Sequence, residues 1–266
     1  MAPSKEIVHL FSGGTDSAYS ATLLAGMFDK VRLVTYERLG FTHTENSKIY
    51  AGILMKKYGK DRITHTFINI DKEFKKLCFK NHFTDFLKYG FYVLINCGLC
   101  KLAMDWRTIV YCIDNNIKYV STGSGKEMVF DPSQNIEIIK EVRDMYASFG
   151  IQYFAPGFEI PPNEREKELL RLGIANRLGI KGSAETWDYQ PHCTQEYMNL
   201  FLIQYVCKKN RKFFSRQLTG SFYIPKEERF FEYHKKVCKF HKAKREEVKR
   251  YVQEYIDRKN KNIFRD

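Results

Sequence analysis

The N-terminal segment constrains the fold of this chain more than any other part of it. A short apolar run, Ile7 to Phe11, leads into the loop Ser12-Gly13-Gly14-Thr15-Asp16-Ser17, and a segment rich in alanine and leucine, Ala18 to Met27, follows. An apolar run bounded by glycines predicts a buried strand, and Ala and Leu favour a helix. The order of strand, tight loop and helix predicts the start of a unit that builds parallel sheets.

The alternation of strand-like and helix-like segments continues along the chain. The strand-like segments are Val31 to Tyr36, Ile63 to Ile70 and Ile117 to Thr122, and the helix-like segments are Glu45 to Tyr58, Cys100 to Asn115 and Asn163 to Leu178. Connections between neighbouring parallel strands pass over one face of the sheet or the other. The pattern therefore predicts an α/β fold, a doubly wound parallel sheet with helices on both faces.

The charge of the chain is concentrated at its C-terminal end. The net charge is +13, and the segment from Lys208 to Asp266 carries 19 Lys and Arg against 8 Asp and Glu. Helical spacing of apolar residues from Glu196 to Lys209 and a charged helical pattern after Pro225 predict a C-terminal basic helical appendage. We expect two units, residues 1–193 and 194–266. Such a density of positive charge attracts phosphate backbones, so contact with nucleic acid is expected there, although many charged helices are simply solvated.

Composition narrows the class of protein. With 44% hydrophobic and 28% charged residues the chain has enough apolar material for a packed core, which excludes a disordered chain. No apolar run is long enough to cross a bilayer, and the N-terminus lacks the apolar core of a secretion signal. The cysteines number seven, an odd count that favours free or metal-bound thiols in a reducing compartment. The expected location is the cytoplasm.

The glycine loop has the chemistry of a pyrophosphate site. Two glycines permit a tight turn that leaves backbone N–H groups free to meet an anion, and the N-terminus of the following helix adds its positive dipole end. Ser12 and Ser17 supply hydroxyl donors, whereas the Asp16 carboxylate suits a magnesium ion. The loop lacks the Gly-Lys-Ser/Thr of a Walker loop. The simpler alternative is a Gly-Gly turn in which Asp16 caps the helix.

Ser-Gly-Gly-x-Asp-Ser after the first strand resembles the PP-loop of the ATP pyrophosphatases. The resemblance implies a fold of the adenine nucleotide alpha hydrolase (HUP) type, and it implies transfer of AMP from ATP to a substrate oxygen with release of pyrophosphate. The segment Tyr119-Val120-Ser121-Thr122-Gly123 is similar to the Thr-Gly strand of that family. The ATP contacts that the resemblance implies are Ser12, Gly13, Gly14, Thr15, Asp16, Ser17, Thr35, Tyr36, Gly123 and Ser124.

Three cysteines extend the resemblance. Cys97 and Cys100 form a CxxC motif, which suits metal chelation or a redox pair, and Cys193 follows in Pro191-His192-Cys193. The layout resembles the iron–sulfur PP-loop sulfurtransferases that make 2-thiouridine or 2-thiocytidine in transfer RNA. It implies a 4Fe-4S cluster on Cys97, Cys100 and Cys193 with one iron open to sulfur. Asp16 and these cysteines are then the catalytic residues, with ATP and magnesium as further cofactors and tRNA or a free nucleobase as substrate.

The sequence also departs from that family, which keeps two alternatives open. Thr15 stands where the thiolases usually have lysine, and residues 124–128 replace a His-Asn-x-Asp-Asp pattern. Thr35-Tyr36-Glu37-Arg38 and Glu185-Thr186-Trp187 look like 7-cyano-7-deazaguanine synthase, a PP-loop enzyme that captures ammonia, although this chain lacks its local four-cysteine zinc cluster. A decayed RNA-binding module is the non-enzymatic alternative. The sulfur donor, and whether the chain forms a homodimer, are not indicated.

Overall fold

The computed structural model describes residues 5–90, 97–126, 136–175, 192–193 and 228–263. The strands are β1 (Glu6–Leu10), β2 (Lys30–Glu37), β3 (Phe41–Thr42), β4 (Ile63–Asn69), β5 (Tyr119–Thr122), β6 (Gln152–Phe154) and β7 (His192–Cys193). The α-helices are α1 (Thr15–Met27), α2 (Ser47–Tyr58), α3 (Asp71–Phe79), α4 (His82–Tyr89), α5 (Cys97–Asn115), α6 (Ile136–Ala147), α7 (Pro162–Arg171) and α8 (Glu228–Ile263). A 3₁₀ turn, Thr44–Asn46, precedes α2.

Five strands form a parallel sheet in the order β4-β2-β1-β5-β6. The chain winds outward from β1 in one direction through β2 and β4, and in the other through β5 and β6. The winding therefore reverses between β1 and β5, where the two halves leave a crevice at the carboxyl ends of the strands. The predicted α/β, doubly wound parallel sheet is confirmed, and the glycine loop after β1 lies at this crevice.

Alternate residues of the central strands pack on opposite faces of the sheet. On one face, Val8 and Val34 contact a core built with α3, α5, α6 and α8. On the other face, Ile7 and Leu33 contact a core built with α1, α2 and α7. Because successive side chains of a strand point to opposite sides, these near-continuous apolar strands require helices on both faces.

Helix α8 contributes side chains to the first of these cores. Phe240, Val248 and Tyr251 are buried with the residues of α5 and β1. The Lys244 ammonium lies 2.5 Å from the Asp85 carboxylate of α4, and Arg245 forms an ion pair with Glu141 of α6. Part of the basic charge at the C-terminal end is thus buried in ion pairs. The division at residue 194 stays a prediction, since residues 194–227 lie outside the described ranges.

Some predicted boundaries were wrong. The helix expected over Asn163 to Leu178 begins at Pro162 and ends at Arg171, because Gly173 adopts a left-handed backbone conformation with φ of +68°. The predicted helix from Glu196 to Lys209 lies outside the described residues. Within the described ranges no helix is long and apolar enough to cross a membrane.

Candidate functional site

The glycine loop leaves the start of α1 open to a ligand. Gly13 has a φ of +78°, which only glycine adopts without strain, and Gly14 is the N-cap residue and has no side chain to bond the first turn. The Ser17 hydroxyl donates to the Gly14 carbonyl oxygen at 2.9 Å, and the Ser12 hydroxyl oxygen accepts from the Gly14 N–H at 3.2 Å. The serines therefore fix the turn, and the helix N-terminus presents the donors and dipole that suit a phosphate.

The end of β5 lies directly against the loop. A Cβ atom on Gly123 would stand 2.7 Å from the backbone nitrogen and Cα of Ser17, closer than real Cβ contacts allow. The Ser124 hydroxyl lies 3.3 Å from that of Thr122 in the same turn, and both side chains are buried. Gly123 therefore allows two backbone segments to meet at the crevice.

A buried histidine supports this junction. His9 Nε2 lies 3.0 Å from the Ser17 carbonyl oxygen, and its Nδ1 lies 2.8 Å from the Ser121 hydroxyl. Since a carbonyl only accepts, Nε2 carries the hydrogen and Nδ1 accepts from Ser121. Burial lowers the pKa of His9 to about 4, so the ring is neutral at pH 7. His9 was not predicted from the sequence, where its signal is a histidine inside an apolar strand.

Asp16 of the loop is paired with an arginine that was also not predicted from the sequence. The carboxylate lies 2.6 Å from a guanidinium nitrogen of Arg165 on α7. The Arg165 side chain is 1% exposed and that of Asp16 is 36% exposed. The carboxylate thus keeps access to solvent beside the open helix end, and its role as a magnesium ligand stays a prediction. Arg165 adds a positive charge at the same point.

Thr35 and Tyr36, two of the implied ATP contacts, point to opposite faces of the sheet. The Thr35 hydroxyl is buried and donates to the Phe11 carbonyl oxygen at 2.7 Å, at the end of β1. The Tyr36 hydroxyl lies 2.5 Å from that of Thr108 on α5, inside the core. Burial raises the pKa of Tyr36 far above its usual value. Their role as ATP contacts, like that of the other predicted site residues, stays a prediction.

A second cluster, at the end of β2, brings two of the predicted cysteines together. Arg38 donates from Nε to Cys100 Sγ at 3.0 Å and from a terminal nitrogen to Cys193 Sγ at 3.1 Å. Cys193 reaches this point because β7 pairs with β3, so that Phe41 lies opposite Cys193. We call Arg38, Cys100 and Cys193 the thiol site. Because β1 and β2 are parallel neighbours, it lies at the same edge of the sheet as the glycine loop.

The surroundings of Arg38 hold its guanidinium in place. The group stacks on the rings of Phe41 and Phe74, with its central carbon 4.5 Å and 4.2 Å from the ring centres. A terminal nitrogen donates to the Leu39 carbonyl oxygen at 2.6 Å. In the sequence, Arg38 stood out only within a resemblance to the ammonia-capturing family. Its position directly after β2, at the carboxyl edge, is the signal that could have identified it.

The third predicted cysteine begins α5. Cys97 is the first residue of that helix and lies one turn from Cys100, but its side chain is outside the described part of the structure. Among the described side chains, no group of three His, Cys, Asp or Glu is placed to hold a metal ion. Two sulfurs that face one guanidinium nevertheless suit a centre with negative charge on sulfur, because the positive charge of Arg38 offsets that negative charge. Two cysteine sulfurs are ligands of the type that an iron–sulfur cluster takes, and the role of Cys97 as the third ligand stays a prediction.

A fourth cysteine lies near the thiol site. Cys78 on α3 is buried, and burial together with the nearby Cys100 raises the pKa of its thiol. Buried thiols in apolar surroundings are inert. Cys78 therefore belongs to the packing behind the site.

No protein-family model and no curated protein matches the chain. Among solved structures it is similar to the U34-tRNA thiolase NcsA from Methanococcus maripaludis with its 4Fe-4S cluster. The sequence identity is 14% and the TM-score 0.40, over 86% of this chain and 80% of that one. Similarity at this level assigns no function to this chain.

Proposed function

We propose that this protein is an ATP-dependent sulfurtransferase. It transfers AMP to a carbonyl oxygen of a nucleobase, in tRNA or as a free base, and then replaces that oxygen with sulfur. One observation carries the proposal: an uncapped helix N-terminus behind a glycine loop shares a sheet edge with two cysteine thiols that converge on Arg38. The first feature suits a polyphosphate, and the second suits sulfur chemistry.

In the first half-reaction, the glycine loop binds the phosphates of ATP. Backbone N–H groups at the start of α1 bind the phosphates, and the Asp16 carboxylate would hold a magnesium ion, which would offset the charge of the phosphates. The substrate carbonyl oxygen attacks the α-phosphorus, and the bond from that phosphorus to pyrophosphate breaks. Arg165, at 2.6 Å from Asp16, adds positive charge where the pyrophosphate leaves.

In the second half-reaction, a hydrosulfide ion attacks the activated carbon. AMP departs with the former carbonyl oxygen, and the sulfur loses its proton to give the C=S group. The cluster supplies an iron that can bind the incoming sulfide. In this proposal Cys97, Cys100 and Cys193 hold it, and Arg38 balances the charge of the sulfurs.

The first experiment measures pyrophosphate release. Asp16→Ala should abolish release from ATP in the presence of bulk tRNA, because the magnesium ligand is lost. The variant also leaves the buried Arg165 without this partner, so circular dichroism has to show that it is folded. Asp61→Ala is the matched control, since Asp61 is exposed at the opposite edge of the sheet, ahead of β4. Normal release in Asp16→Ala would refute the adenylation step.

The second experiment measures metal. Anaerobic purification should yield a brown protein with about four irons per chain. Cys100→Ser and Cys193→Ser should each lose iron, whereas Cys112→Ser should not, because Cys112 is fully buried in the core away from the thiol site. One zinc and no iron would overturn the sulfur reaction and favour the ammonia-capturing alternative.

The described surface also offers a place for an RNA partner. Helices α3 and α4 expose basic and apolar side chains side by side: Lys72, Lys75, Phe79, Lys80, Phe83, Leu87 and Lys88. We call these residues the α3–α4 face. Phe79 is 55% and Phe83 74% exposed. Exposed rings stack on unpaired bases, and lysines contact the phosphates.

The α3–α4 face begins at the thiol site. The Asp71 carboxylate, in the first turn of α3, accepts from the Leu39 N–H at 2.8 Å, and Phe74 of the same helix stacks on Arg38. A single-stranded segment bound along α3 and α4 therefore leads to the sulfurs. In contrast, Lys244 on α8 is 1% exposed and ion-paired, so it does not contact RNA. The expected RNA contact at the C-terminal end stays a prediction, since other cations of α8, among them Lys242 and Arg250, are exposed.

Charge reversal tests this surface. Changing Lys72, Lys75, Lys80 and Lys88 to Glu should weaken binding of bulk tRNA and make its salt dependence shallower, by roughly one unit of slope for each phosphate that is no longer neutralised. The matched control changes four exposed cations of α8 to Glu: Lys235, Lys239, Lys242 and Arg250. A larger loss of affinity in the α8 variant would show that the appendage binds the RNA instead.

A further inference from the structure

Arg38 is a buried cation with unusual partners. Its exposed fraction is 6%, and its described hydrogen bonds go to two thiols and one backbone carbonyl. A guanidinium stays protonated in proteins, and burying a charge is costly unless an opposite charge is close. Arg38 thus places its positive charge next to the sulfurs of Cys100 and Cys193.

No carboxylate in the described part of the chain forms an ion pair with this guanidinium. Asp71 acts on Arg38 electrostatically, but its carboxylate oxygens bond the Leu39 N–H and the Asn69 amide instead. The site thus differs from an ordinary buried Arg–carboxylate pair. The Arg38 guanidinium instead donates to the sulfurs of Cys100 and Cys193.

The orientation of the guanidinium is fixed from three sides. Phe41 and Phe74 set its plane, and the Leu39 carbonyl sets its rotation within that plane. The guanidinium is rigid and planar, and its N–H groups point in fixed directions. It can therefore fix the positions of two acceptors relative to each other, which a flexible lysine side chain cannot do. Cys100 and Cys193 lie on α5 and β7, two elements that are far apart in the sequence, and Arg38 links them.

We infer that Arg38 is the positioning residue of the sulfur-transfer half-reaction, where it holds Cys100 and Cys193 toward one point and stabilises negative charge on sulfur before the transfer. This inference rests on the proposed function. It assigns Arg38 no part in adenylation, which takes place at the glycine loop. Hydrogen bonds to the ligating sulfurs raise the reduction potential of an iron–sulfur centre, so Arg38 would raise that potential in the protein that holds the cluster.

The test compares Arg38→Lys and Arg38→Met with the wild type in the full-length, anaerobically purified protein. Sulfur incorporation into tRNA should fall about 10- to 100-fold in Arg38→Lys, as for other groups that orient metal ligands, and further in Arg38→Met, which also lacks the charge. Pyrophosphate release should stay unchanged in both. The reduction potential, followed by EPR-monitored titration, should shift to more negative values.

Arg32→Lys is the matched control. Arg32 lies on the same strand β2 and is also multiply bonded, to Glu6, Tyr111 and Asn115, but at the amino-terminal end of the strand. It should leave sulfur incorporation and the reduction potential at wild-type values. A change of the same size in Arg32→Lys would overturn the inference.

Two further outcomes with the Arg38 variants would contradict the inference. Wild-type potential and wild-type sulfur transfer in Arg38→Met would show that Arg38 has no role. Equal losses of pyrophosphate release and sulfur transfer, with an unchanged potential, would show a structural role only. Wild-type protein that holds no iron and transfers no sulfur would overturn the proposed function itself and the inference with it, so the two failures are distinguished by measuring the wild type first.

Discussion

The geometry of the glycine loop depends on close contacts between single atoms, and the clearest example is Gly123 against Ser17. Gly123→Ala would place its Cβ 2.7 Å from backbone atoms of Ser17, so either β5 or the first turn of α1 has to move. We expect a loss of about 1–3 kcal/mol in the free energy of unfolding, as for other overpacked sites, together with weaker ATP binding. Chemical denaturation and equilibrium binding of an ATP analogue measure the two effects.

Gly52→Ala is the control for that substitution. Gly52 lies inside α2, and a Cβ there would meet nothing within 4 Å. Because alanine is the better helix former, the control should gain about 0.5–1 kcal/mol and bind ATP normally. Unaltered ATP binding in Gly123→Ala would show that the close approach of β5 is not needed at the phosphate site.

At the scale of elements, the attachment of α8 depends on a buried lysine. Lys244 is 1% exposed and pairs with Asp85 and Glu247. Burial alone lowers its pKa, but the two carboxylates outweigh burial and hold the pKa above its usual value. Lys244→Met leaves Asp85 without its partner, and breaking a buried pair in this way costs about 3–5 kcal/mol. Urea denaturation should show the loss.

Lys249→Met provides the comparison on the same helix. Lys249 is partly exposed and pairs with Glu246 within one turn, a type of contact worth about 0.5 kcal/mol or less. If both variants lose the same stability, the Lys244 pair does not hold α8 on the core. The double variant Lys244→Met, Asp85→Leu should recover part of the loss, since only the partly exposed carboxylate of Glu247 is then left without its partner.

The sequence predicted the elements whose signals are local. The strand, glycine loop and helix at the N-terminus, and the parallel sheet, follow from apolar runs and glycines within a few residues. Helices α3 and α4 were missed, because α3 carries charged residues over most of its length and α4 is only eight residues long. Short polar helices depend on packing, which the sequence pattern does not show.

The candidate site was predicted in part for the same reason. The glycine loop is contiguous in sequence, so its place at the end of β1 was predictable. Arg165 and His9 take part through contacts made only in the folded chain, with Asp16 and with Ser17 and Ser121. The link between Cys100 and Cys193 through Arg38 likewise depends on a two-residue strand pair that no periodicity reveals.

At the scale of the whole molecule, buried histidines make stability depend on pH. Burial lowers the pKa of His9 and of His65 to about 4, against about 6.5 in an unfolded chain. Between these values the unfolded state binds more protons than the folded state, so the free energy of unfolding falls as the pH drops from about 6.5 to about 4. For the fully buried His9 the loss amounts to roughly 3 kcal/mol.

The measurement is urea denaturation at pH 7 and at pH 4.5. His9→Gln cannot take up this proton, so the variant should be less stable than the wild type at pH 7 but should lose less stability on acidification. Carboxylates contribute equally to both proteins, and the difference between the two slopes isolates His9. Identical slopes would show that His9 is not the source of the acid sensitivity.

The glycine loop and the last residue of the thiol site, Cys193, leave the ribosome at different times, because they lie far apart in the chain. All five strands of the parallel sheet, the glycine loop and Arg38 lie before residue 155, whereas Cys193 and α8 come later in the chain. Domains begin to fold as they leave the ribosome. A nascent chain can therefore form the sheet and the glycine loop first, Arg165 joins Asp16 next, and Cys193 joins the thiol site last, through β7. A chain that ends before Cys193 would keep the glycine loop, Arg38 and Cys100 but would lack the second sulfur of the thiol site.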